Sequence, residues 1–103
     1  MKKQIAGRDV DVNEEGYLTD PKQWDESIAS AIAQEESVGP LTEDHMKLLR
    51  YLREQQAKGV ALTIRGIGKS GVCSIKEFYD LFPGGPLKKA SKIAGIPKPV
   101  GCI

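Results

Sequence analysis

The alternation of apolar and polar positions divides the chain into a short strand pair followed by helices. Residues 3–12, "KQIAGRDVDV", alternate around a central Gly7-Arg8, with Ile5, Val10 and Val12 as the apolar members. That pattern predicts a β-hairpin, and "NEEGYL" after it reads as a turn. In "DPKQWDESIASAIAQEES" the residues Trp24, Ile28 and Ile32 recur every fourth position, which predicts one helix over about 21–37. Asp20 stands at its cap, and Pro21 stands where a missing N–H is harmless. "VGP" at 38–40 breaks it.

Four further helices follow by the same reasoning. "LTEDHMKLLRYLREQQAKG" predicts a helix over 43–58: Thr42 caps it, Leu41 can staple to Met46, Leu48, Leu49 and Leu52 form the inner face, and Gly59 ends it. Thr63 can cap a short helix over 63–70, although Gly66 and Gly68 weaken it. Ser74 and Glu77 have capping-box spacing for a helix over 75–82, which Pro83 stops. A last helix spans 86–94, with Pro86 in its first turn and Gly95 at its end. The fold class is therefore mainly α (α+β): a small N-terminal β-hairpin packed on a bundle of short helices, with residues 1–95 as one compact domain. Residues 96–103, "IPKPVGCI", cannot be helical. Pro97 and Pro99 predict a polyproline-like flexible arm, with Gly95 and Gly101 as hinges.

Composition narrows the function. A chain of 103 residues supports one modest core. No apolar run approaches the length of a membrane span. The N-terminal "MKKQIAGRDVDVNEEG" has no apolar core of a secretory signal, so a cytoplasmic location, where thiols stay reduced, is expected. Two cysteines make no disulfide scaffold. With no CxxC and a single histidine, His45, far along the chain from either cysteine, neither a metal nor a cofactor is expected. His45 itself reads as a helix residue, packed or exposed, rather than a ligand. Charge is unevenly placed: residues 1–57 carry −5 and residues 58–103 carry +6. The basic rear half is either a solvated surface or a face for an anion or acidic partner.

The two cysteines differ in setting. Cys73 precedes the Ser74 cap, where its side chain would pack on Phe78 as a small hydrophobe. Cys102 lies beyond two prolines, between Gly101 and Ile103, and is expected to be exposed. A free thiol, with pKa about 8.5, is only slightly ionised at neutral pH, so a reactive Cys102 needs a cation. Lys98 in the arm is one candidate; Arg65 and Lys69 serve if the arm folds back. On the residues alone, Cys102 is either a working thiol or an idle one.

The stretch "LFPGGPLKKASKIAGIPKPVGCI" closely resembles the C-terminal signature of the DsrC/TusE family of sulfur-relay proteins, which ends in the same Pro-Lys-Pro arm and penultimate cysteine. "NEEGYLTDPKQW", "LTEDHMKLLRYLRE" and "LTIRGIGK" resemble that family's turn into the first helix, its second helix and its short segment carrying Arg65 and Lys69. The resemblance implies that Cys102 carries sulfur as a persulfide or trisulfide, or forms mixed disulfides. It implies a relay component rather than a stand-alone enzyme. The implied partners are a sulfur-donating sulfurtransferase complex of the TusBCD or DsrEFH kind and an acceptor, either a tRNA thiouridylase or a sulfite reductase. Three departures qualify it. Ser91 stands where sulfite-reductase-linked members carry a second cysteine, which moves the chain toward the single-cysteine TusE type, a relay for tRNA 2-thiouridine. Met46 replaces the family's tryptophan after its histidine. The segment from Lys69 to Phe78 is shorter than in the longer members and holds Cys73.

The alternative is a nucleic-acid-binding module. The helices near 63–70 and 75–82 have helix-turn-helix spacing in a basic half. Glu77 and Asp80 oppose phosphate, however, and a DNA reader has no need of Cys102.

Overall fold

A computed structural model describes residues 1–98. Its hairpin pairs β1 (Lys2–Ile5) with β2 (Arg8–Asp11) antiparallel, Lys3 opposite Val10 and Ile5 opposite Arg8. The turn is Ala6-Gly7, not Gly7-Arg8: both residues have positive φ, at 53° and 77°, as a two-residue hairpin turn requires. Ile5, Val10 and Val12 face the core. An ion pair ties the hairpin to each end of the first long helix, Lys3 to Glu35 and Arg8 to Asp25.

The segment expected as one helix over 21–37 is two pieces. Asp20 caps only a single 3-10 turn, Pro21–Gln23. Trp24 is then extended (φ −82°, ψ 141°), and Asp25 starts a new helix, α1 (Glu26–Glu35), by accepting the Ile28 N–H. Two aspartates five positions apart offer two caps, and a side-chain cap competes with continued helix. The fourfold recurrence of Trp24, Ile28 and Ile32 conceals the break.

The remaining helices are α2 (Glu43–Ala57), α3 (Ile64–Ser70), α4 (Ile75–Leu81) and α5 (Pro86–Ile93). Thr42, Thr63 and Ser74 cap the first three of these as their sequence positions suggest. His45 is 7% exposed and completes the cap of α2: its Nδ1 accepts the Thr42 N–H, which leaves Nε2 to donate to the Leu81 carbonyl at 2.9 Å. One imidazole thereby joins the start of α2 to the end of α4. α5 lies at the centre, against α1, α2 and α4, while α3 packs on α4 and β1 on α1. Phe78 and Phe82 meet edge to face in the core. Among the described residues no helix is long and apolar enough to cross a membrane.

Candidate functional site

The chain leaves the body at the end of α5, and that exit is closed tightly. The Gly95 N–H donates to Lys92 O and the Ile96 N–H to Ser91 O, the paired bonds of a Schellman cap. Gly95 supplies the left-handed conformation this cap needs (φ 71°). Two carbonyls beyond those bonds find side-chain donors: the Trp24 indole N–H reaches Ile93 O at 2.7 Å, and Arg53 Nη1 reaches Ala94 O at 2.8 Å. The Arg53 guanidinium lies 4.3 Å over the Trp24 ring, and its Nη2 donates to Pro21 O. Gly95 and Ile96 are both buried, and Gly95 ends the last helix, as its sequence position suggests. Ile96, expected as the first residue of the arm, belongs to the core instead, and Pro97 and Lys98 after it are exposed.

Sequence reasoning missed Trp24 and Arg53 as the residues that fix this exit. One signal was present: Arg53 stands four residues after Leu49, on the stripe that α2 buries.

The expected thiol site falls partly outside the described residues. Cys102, Pro99 and Gly101 are not among residues 1–98. Cys73 is half-buried and packs against the core just before the Ser74 cap. Burial pushes its thiol up, and the neighbouring Glu77 carboxylate adds to this while Lys47 partly opposes it, which leaves less of it as thiolate at neutral pH. Ser91 is fully buried on the inner face of α5, and its hydroxyl has no hydrogen-bond partner among the described residues. An apolar cradle of this kind suits a thiol better than a hydroxyl.

The expected cations separate into two places. Arg65 and Lys69, both exposed, line one open groove between α3 and α4 with Gly68, Ser74 and Ile75. Gly68 permits the close approach, since a Cβ there would lie 2.6 Å from Ile75 Cγ1. Neither cation forms an ion pair among the described residues. Lys98 is instead bound to Glu15, 3.0 Å away in the turn after the hairpin. Glu77 and Asp80 are exposed on α4, the helix a nucleic-acid reader would present.

A hairpin on a small helical bundle, with its C-terminal segment issuing from one locked helix end, defines the class of fold. The chain belongs to the DsrC family: the family model described as "DsrC like protein" matches residues 4–103. The sulfite reductase, dissimilatory-type subunit gamma, of Nitratidesulfovibrio vulgaris is 35% identical, with 94% of this chain and 93% of that protein covered. The sulfurtransferase TusE of Salmonella typhimurium is 38% identical, over 96% of this chain and 97% of that one. The crystal structure of dissimilatory sulfite reductase I (DsrI) contains a chain that superposes with a TM-score of 0.85 at 35% identity, covering both chains completely.

Proposed function

We propose that this chain is a sulfur carrier, which takes up sulfane sulfur on Cys102 as a persulfide and hands it to a partner. The setting is a TusE-like relay toward tRNA 2-thiouridine, in the cytoplasm; a DsrC-like route of sulfur metabolism is the second setting. The observation that carries the reading is the full-length similarity to relatives named sulfurtransferase TusE. The half-buried, raised thiol of Cys73 supports it, because thiol chemistry then falls to Cys102.

The chemistry is a transfer without net oxidation. The Cys102 thiolate attacks the outer sulfur of a donor persulfide, the donor S–S bond breaks, and the donor thiolate leaves with the electron pair. Delivery repeats the step with Cys102 as the leaving thiolate. Arg65 and Lys69 are the cations able to favour that thiolate; Lys98 joins them when its exposed bridge to Glu15 opens. Serine at position 91 cannot resolve the persulfide through a disulfide, so the acceptor must supply the next nucleophile.

The test is intact-protein mass after incubation with thiosulfate and a rhodanese-type sulfurtransferase. Wild type should gain one or more sulfur atoms, Cys73→Ser should load equally, and Cys102→Ser should load none. Limiting iodoacetamide should label Cys102 ahead of Cys73. Loading of the Cys102→Ser variant, or a wild type that stays unloaded with a free Cys102, overturns the proposal.

A further inference from the structure

Beside the exit from α5 lies a cleft of about 300 Å3. Its walls are Leu18, Pro21, Ala57, Ile96 and Pro97, with Arg53 at its polar edge. At the low end of the usual ligand range, such a volume suits one or two side chains rather than a cofactor.

Arg53 gives the cleft a sign. Its guanidinium is half-buried, and the oxygens it holds are two backbone carbonyls, Ala94 O and Pro21 O. No carboxylate pairs with it among the described residues. Five N–H donors and two carbonyl acceptors leave donor capacity for an anion. Burial alone disfavours its charge, with no acidic neighbour offsetting the effect. A partly desolvated guanidinium beside apolar walls is complementary to an aliphatic group that carries a carboxylate.

We infer that this cleft is a docking site for a partner-protein segment in which an aliphatic side chain stands next to an Asp or Glu. The aliphatic group fills the space between Leu18, Ala57 and Ile96, and the carboxylate meets Arg53. The preference for a protein segment over a free aliphatic acid rests on the carrier reading: Ile96 and Pro97 form one wall, so an occupant grips the body where the thiol-bearing segment begins.

The test is a 15N NMR titration of the full chain with three probes: acetyl-Leu-Glu-amide, acetyl-Leu-Gln-amide and isocaproate. Saturable shifts of the Trp24 indole N–H and of the Ala57 and Ile96 amides are expected with the Glu peptide. The Gln peptide and isocaproate should each bind roughly tenfold more weakly. Gln56→Glu, one helical turn from Arg53 on the cleft's rim, supplies a competing carboxylate and should weaken the Glu peptide by a similar factor. Ala57→Phe, at an exposed helix end, should abolish binding without unfolding the chain. Equal binding of the Glu and Gln peptides, isocaproate binding as tightly as the Glu peptide, shifts mapping to another face, no saturable shift, or indifference to Gln56→Glu or to Ala57→Phe would each overturn the inference. The readout does not involve a thiol, so a failure here and a failure of sulfur loading are separable.

Discussion

Trp24 packs against Gly95, so closely that a Cβ on residue 95 would stand 2.5 Å from Trp24 Cδ1. Sixty-nine residues before Ile93 in sequence, the same indole donates to that residue's carbonyl. Gly95→Ala therefore meets two obstacles at once, a left-handed φ and a wall of tryptophan. The combined cost should be about 2–4 kcal/mol. Urea denaturation followed by circular dichroism measures it, and a loss under 0.5 kcal/mol would show that the wall yields.

Ser91→Ala should go the other way. It removes a hydroxyl that is buried without a partner among the described residues, and it favours helix. A gain of about 1 kcal/mol is expected, with Ser91→Cys at least as stable as wild type. Thermal melts of the three proteins decide the matter; a clear loss in both variants would mean that the hydroxyl is bonded.

The ends of α1, α2 and α5 share one cap geometry, with Ser37, Gly59 and Gly95 at the left-handed position. Serine at φ 62° is the odd member. Left-handed strain in a residue with a Cβ costs about 1–2 kcal/mol, against about 0.5–1 for the extra freedom of unfolded glycine. Ser37→Gly should stabilise by about 0.5–1 kcal/mol in chemical denaturation, and destabilisation would contradict this assignment.

Three carboxyls are held below their ordinary range. The Ile28 N–H, with Arg8, lowers Asp25; the Ser74 N–H lowers Glu77; Lys2 and Gln23 lower Asp11. A carboxyl lowered in the folded state adds stability above its unfolded value and loses it as pH falls through the folded one. Stability should drop below about pH 4. Asp25→Asn keeps a competent cap but does not titrate, so the acid limb of its stability profile should be shallower. Urea midpoints between roughly pH 6 and 2.5 report this; parallel limbs for the two proteins would remove Asp25 from the effect.

What the sequence made legible was local. Thr42, Thr63 and Ser74 announce helix starts because a cap acts within three residues. The break at Trp24 was hidden because the local choice between the Asp20 and Asp25 caps is settled at a distance: the extended Trp24 donates its indole N–H to the Ile93 carbonyl and stacks under Arg53. Gly95 was legible as the end of α5 but not as a neighbour of Trp24, since only the tertiary structure places a tryptophan on it. Of the cations assigned to the thiol, Arg65 and Lys69 lie four residues apart on one helix and share a groove, as that spacing requires. Lys98 went to Glu15, eighty-three residues earlier, a pairing no periodicity encodes.

Trp24 is the chain's single tryptophan. Its emission therefore has one source, a ring covered by a guanidinium and bonded to the helix end from which the thiol-bearing segment issues. The molecule carries its own optical probe at that junction: native fluorescence can follow events there in real time, with no dye and no added residue.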